Sequence, residues 1–116
     1  MNNELTLIEI TQESLKDKIY IIRGQKVILD FELAGLYGYE TRYLNLQVKR
    51  NAEKFPDDFM FQLTQDEMNQ ILMLQNVTSS WGGTRKLPFA FTEQGIHMLT
   101  SVLNGDLAIK QRISLT

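Results

Sequence analysis

The sequence predicts an α+β fold, a small antiparallel sheet carrying a helix-turn-helix-like pair and additional packed helices. Three observations predict it. Short β-branched and aromatic runs recur at residues 19–22, 27–29, 59–63 and 87–91. Between them the apolar period lengthens from two to 3.6, the change that separates strands from amphipathic helices. The chain has 116 residues, 43% of them hydrophobic and 22% charged, which suits one ordinary domain with one core. We expect a single domain over 1–116, with its core at about 10–106.

Apolar alternation over residues 5–10 predicts a first strand, and Thr11 can cap a short helical turn over 11–16. The runs 19–22 and 27–29 flank Arg23-Gly24-Gln25-Lys26, a hairpin signal in which glycine supplies the positive φ of a tight turn. Asp30 is placed to cap a helix with Phe31, Leu33, Ala34 and Leu36 as its apolar positions, and Gly38 suits a left-handed stop. Thr41 is placed to cap the next helix, whose buried stripe is Leu44, Val48 and Ala52. Phe55-Pro56 ends it, since proline restricts the residue before it. Two helices joined by so short a turn make the helix-turn-helix-like pair.

Asp57-Asp58 reads as a turn, followed by a strand with Phe59, Phe61 and Leu63 inward. Thr64 and Glu67 match a capping box, opening a helix that runs through Ile71 and Leu74. Met68, Met73 and Met98 are core or near-core filler. Residues 76–86 have no period and form a loop long enough to suggest function or mobility. Pro88 sets the strand over 87–91 at a sheet edge or at a strand start. Thr92 caps a helix with Ile96, Leu99 and Leu103 facing the core. Asn104-Gly105-Asp106 breaks that helix, and a new pattern of Leu107, Ile109 and Ile113 begins a C-terminal helix over 107–116 that is cut off at Thr116.

Composition narrows the chemistry. Without cysteine there is no disulfide, thiolate metal site or thiol nucleophile, and one histidine, His97, leaves no imidazole pair. His97 reads as a structural residue, because no base or nucleophile pairs with it. No Walker loop is present, since Gly82-Gly83 lacks the spacing and the following helix. The chain is therefore expected to be no enzyme and to need no cofactor, metal or small-molecule substrate. No apolar run approaches the ~20 residues of a membrane span, and the first residues lack a signal-peptide pattern. A cytoplasmic location without membrane association is expected.

Charge is segregated. The net value is −2, yet residues 42–54 carry Arg42, Lys49, Arg50 and Lys54 against Glu53 alone, and Arg85 and Lys86 stand together beyond an acidic stretch. Local potential, and not the sum, steers a polyanion. With Leu44, Val48 and Ala52 buried, the 100° helical step puts Arg42, Asn45, Lys49 and Glu53 on the opposite side, with Arg50 on a flank. Arginine, asparagine and lysine on one exposed face suit base edges and phosphates; the plainer reading is a solvated helix surface. Arg85 and Lys86 lead directly into a strand, as a phosphate contact would; the plainer reading is a hinge with Trp81 folded on the core.

Taken together, Ile19-Tyr20-Ile21-Ile22-Arg23-Gly24, Val27-Ile28-Leu29-Asp30, Leu33-Ala34, Leu36-Tyr37-Gly38, Val48-Lys49-Arg50-Asn51, Phe55-Pro56, Asp58-Phe59-Met60-Phe61, Trp81-Gly82-Gly83 and Phe91-Thr92-Glu93-Gln94-Gly95 carry a resemblance. From about Ile10 onward the chain resembles the phage regulatory-protein domain named for the "open reading frame six" N-terminal region, related to the KilA-N and Bro-N domains of phages and large DNA viruses. The resemblance implies a compact KilA-N-like DNA-binding domain of phage and prophage regulators, usually continued by a helical, often coiled-coil, region. The expected function is sequence-specific binding of double-stranded DNA in transcription or replication control. The helix over 41–53 would enter the major groove, with Arg42, Asn45 and Lys49 at bases or phosphates, Arg50 and Lys54 at phosphates, and Arg85 and Lys86 at the backbone. About four to six phosphate contacts make a weak monomer, so a homodimer is expected. The alternative is an antirepressor-like protein-interaction module using the acidic surface and the Trp81 loop.

Overall fold

The computed structural model describes residues 18–75 and 86–115, with side chains up to Asn104. The strand and turn expected at residues 5–16, and the loop over 76–85, lie outside the described residues. Four short strands, β1 (Tyr20–Ile22), β2 (Gln25–Leu29), β3 (Met60–Gln62) and β4 (Phe89–Phe91), form one antiparallel sheet in the order β1-β2-β4-β3. Among the described residues four α-helices accompany it: α1 (Asp30–Tyr37), α2 (Thr41–Arg50), α3 (Gln65–Leu74) and α4 (Glu93–Leu115). The fold is α+β.

The hairpin forms where the sequence places it. Arg23 and Gly24 both have positive φ, 54° and 76°, as a two-residue turn matched to strand twist requires. Arg23, the non-glycine of the two, is tied down by its side chain. Its guanidinium meets both carboxylate oxygens of Glu67, at 2.9 and 3.0 Å, and lies 4.2 Å from the centre of the Phe61 ring.

Alternate residues of the strands serve opposite faces of the sheet. Ile28 and Phe91 pack with Leu33 and Ala34 of α1, Leu44 and Val48 of α2, and Leu99 and Leu103 of α4. Val27, Leu29, Phe61 and Ala90 pack with Met68 and Ile71 of α3. Among the described residues three helices thus cover one face and a single helix the other.

Several local expectations are corrected. Asp30 is the first residue of α1 and not its cap; Leu29 holds the cap position, and Asp30 turns inward to tertiary partners. Likewise Glu40 and not Thr41 stands at the cap of α2, with no side-chain cap bond. α2 ends at Arg50, so Ala52 falls in a 3-10 turn (Ala52–Lys54) and is exposed, while Gln47 is buried beside Leu44 and Val48. Asn51 closes the helix by donating from its amide to the Gln47 carbonyl at 2.8 Å. Phe31 is partly exposed and Phe59 only half-buried. Met73 is not core filler: it is 73% exposed at the end of α3, next to Leu74 at 76%. β4 is an inner strand and not an edge, so the strand-start alternative for Pro88 is the one that holds: it stands just before Phe89, and its carbonyl accepts from Leu63 N–H at 2.9 Å. Asn104-Gly105-Asp106 does not break α4, which is continuous. One glycine costs a helix only about 1 kcal/mol relative to alanine, less than a stop requires.

Other expectations hold. Gly38 ends α1 in the left-handed conformation, its N–H reaching the carbonyls of Ala34 and Gly35. The capping box of Thr64 and Glu67 is complete, with bonds of 2.8 and 3.1 Å. Thr92 caps α4: its Oγ1 accepts from Gly95 N–H at 3.3 Å and donates to the Asp58 carbonyl at 2.8 Å. Gly95 has a steric reason to be glycine, because a Cβ there would stand 1.9 Å from the Phe59 carbonyl oxygen. No helix among the described residues is long and apolar enough to cross a membrane.

Candidate nucleic-acid interface

α2 carries the candidate residues because its buried stripe is narrow. Leu44, Gln47 and Val48 face the core, which leaves Arg42, Lys49 and Arg50 exposed. Lys49 and Arg50 occupy the last turn, where cations complement the negative end of the helix dipole. Lys54, on the following 3-10 turn, is exposed as well. Lys86 is exposed ahead of β4, with its Nζ 5.4 Å from the centre of the Phe89 ring. Arg85 and Trp81 lie outside the described residues.

Two adjoining clefts connect these elements. One, of about 490 Å³, is lined by Asp30, Phe31, Thr41, Asn45 and the 86–88 segment. The other, of about 230 Å³, is bordered by Asn45, Lys49, Phe55, Met60, Lys86 and Phe89 among others. Asn45 and Lys86 border both. The fold therefore brings Asn45, Lys49 and Lys86 to one groove, although they come from a helix and a distant strand lead-in. Arg42, Arg50 and Lys54 line neither cleft and are exposed cations on α2 and the turn that follows it.

The floor of the groove holds a residue that sequence reasoning assigned to another task. Asp30 is only 3% exposed. Its Oδ1 accepts from Phe31 N–H at 2.7 Å, and its Oδ2 accepts from Asn45 Nδ2 at 3.0 Å and from Phe89 N–H at 3.2 Å. Asn45 is half-buried, and its remaining Oδ1 is buried with no hydrogen-bond partner among the described residues. An aspartate ahead of an apolar helical run looks locally like a cap, and no local pattern distinguishes one that bonds across the fold.

Away from the groove, the electrostatics are those of a structural wall. Glu67 is held below the usual carboxylate range, chiefly by its bond from Arg23. Glu32 is pushed up to about 7 by burial, against the pull of Lys18 and of hydrogen bonds from Leu29 and Tyr20. The Tyr20 hydroxyl, also bonded to Gln75, is raised by its own burial and then by Glu32. His97 is exposed on α4. Among the described residues no group of three or more histidine, cysteine, aspartate or glutamate side chains could hold a metal ion.

The groove thus offers cations for phosphate oxygens, apolar walls, and a helix face flanked by a second segment. Compared with known families, the chain matches the profile of the ORF6N domain over residues 17–102. No curated protein and no solved structure matches it.

Proposed function

The chain belongs to the ORF6N domain family, a phage-type regulatory family that is generally non-catalytic, and from that premise we propose that it binds double-stranded DNA sequence-specifically to regulate phage or prophage transcription or replication. The observation that carries this reading is the shared groove. Lys49 on α2 and Lys86 ahead of β4 border the same cleft, so cations distant in the chain can act on one ligand. α1 and α2 then serve as the helix-turn-helix-like pair, with α2 in the major groove. Arg42 and Lys49 lie at bases or phosphates with Asn45 in the wall of the cleft, Arg50 and Lys54 hold phosphates, and Arg85 and Lys86 touch the backbone. So few phosphate contacts make salt-sensitive, modest affinity, and a second copy of the chain is the partner that raises it.

The test is a gel shift on DNA selected with the 1–116 chain. Lys49→Ala with Arg50→Ala abolishes binding and moves thermal stability by no more than about 0.5 kcal/mol, because both side chains are exposed. Unchanged affinity in this variant overturns the assignment of α2. A failure of the unaltered chain to select any DNA overturns the reading as a whole.

A further inference from the structure

We propose that Asp30 and Asn45 form a positioning pair that fixes α2 against the Lys86 segment, so that Asn45 serves recognition through Asp30 and not by touching a base. The proposal rests on the DNA-binding reading above. A carboxylate can only accept, so the bond to Asp30 requires Asn45 to present its Nδ2, which fixes the orientation of the amide. The usual asparagine contact to adenine needs both amide heteroatoms at the base edge. Here Nδ2 is engaged at 3.0 Å and Oδ1 is buried.

The same carboxylate reaches the third element. Its Oδ2 also takes Phe89 N–H at 3.2 Å, three residues beyond Lys86. One buried side chain therefore joins the start of α1, the middle of α2 and the start of β4. The spacing between the cations of α2 and Lys86 depends on that junction. Phosphate contacts fix the register in which base-reading side chains meet the base edges, so loosening the junction lowers affinity for the preferred site more than it lowers unspecific attraction.

The experiment compares specific and unspecific DNA affinity, well below the melting temperature, for the unaltered chain, Asn45→Ala, Asp30→Asn and the double variant. Thr64→Ala, which weakens the capping box on the far face, is the control for lost stability alone. Each single change lowers the specific-to-unspecific ratio by about tenfold, and the double variant loses no more than either single one, the signature of residues acting as a unit. Thr64→Ala leaves the ratio unchanged. A second readout needs no substitution: in NMR spectra of the DNA complex, the Asn45 side-chain amide stays protected from exchange and shows no contact to base protons.

An Asn45 amide contact to a base proton overturns the proposal. So does a changed base preference in Asn45→Ala with an unaltered ratio in Asp30→Asn, or additive losses in the double variant. An equal loss in Thr64→Ala reduces the pair to ordinary stability and also overturns it. If the unaltered chain binds no DNA, the proposal falls with the reading it rests on, a failure seen before any variant is made.

Discussion

The two faces of the sheet are built from different chemistry. Behind α3, charged groups are paired at the surface: Thr64 and Glu67 satisfy each other's backbone, and Glu67 also takes the Arg23 guanidinium that lies over Phe61. Charge is neutralised where it stands, and the result is a wall. On the other face, beside the apolar core of α1, α2 and α4, a buried carboxylate spends its acceptors on a side chain and a backbone group from other parts of the chain. Cations remain exposed around the groove above it.

The largest effect expected concerns the junction between α4 and β3. Gly95→Ala drives a methyl group onto the Phe59 carbonyl oxygen, which is backbone and cannot swing away. Overpacking of this kind costs about 3 kcal/mol, and thermal melts should show it as a large loss in Tm. A melt within a degree of the unaltered protein would show that α4 can slide at no cost, and that the groove-side helices are less fixed than the geometry implies.

A pH dependence belongs to the contact between Glu32 of α1 and Tyr20 of the α3-side core. Glu32 has its carboxyl raised from 4.5 to about 7, while the unfolded chain ionises near the lower value. The folded protein holds the extra proton between the two, so this group's contribution to stability is full below pH 4.5, falls as pH rises towards 7, and is flat above. Glu32→Gln should remove that slope and raise Tm at pH 8, with DNA affinity unaltered. Parallel pH profiles for the two proteins would remove Glu32 from the account, and a change in DNA affinity would mean that the two faces communicate.

The smallest effect tests the groove side in the opposite direction. Gly35 lies exposed within α1, and a Cβ there meets nothing within 4 Å. Gly35→Ala should stabilise by about 0.5–1 kcal/mol through lower unfolded-state entropy and higher helix propensity. Chemical denaturation would resolve it as a higher midpoint at constant slope. A loss of stability would mean that α1 is strained in a way its backbone does not show.

Elements closed by neighbours in sequence were legible from it. Arg23-Gly24-Gln25-Lys26 marked the hairpin, although Gln25 and Lys26 belong to β2; Thr64 with Glu67 marked the start of α3, and Thr92 the start of α4. Each signal spans a few residues and involves the backbone directly. Asp30 was misread because its partners lie 15 and 59 residues away, where a local rule cannot reach. The insertion of β4 between β2 and β3 is similarly absent from any periodicity, since it depends on pairing across the chain. Asn104-Gly105-Asp106 misled because three poor helix formers lower propensity without forbidding the conformation. For the candidate interface, the exposed cations of α2 could be read from the Leu44 and Val48 stripe. Their meeting with Lys86 could not, because it depends on the same carboxylate that the sequence disguised as a cap.

The central claim is that the groove side, and not the α3 side, meets DNA. Backbone amide shift mapping of the 1–116 chain with its selected duplex tests this most directly. The account predicts the largest perturbations along α2, from Arg42 to Arg50, and at Lys86 to Phe89, with α3 and the β1–β2 hairpin unmoved. Perturbations centred on α3 or the hairpin, with α2 silent, would contradict it.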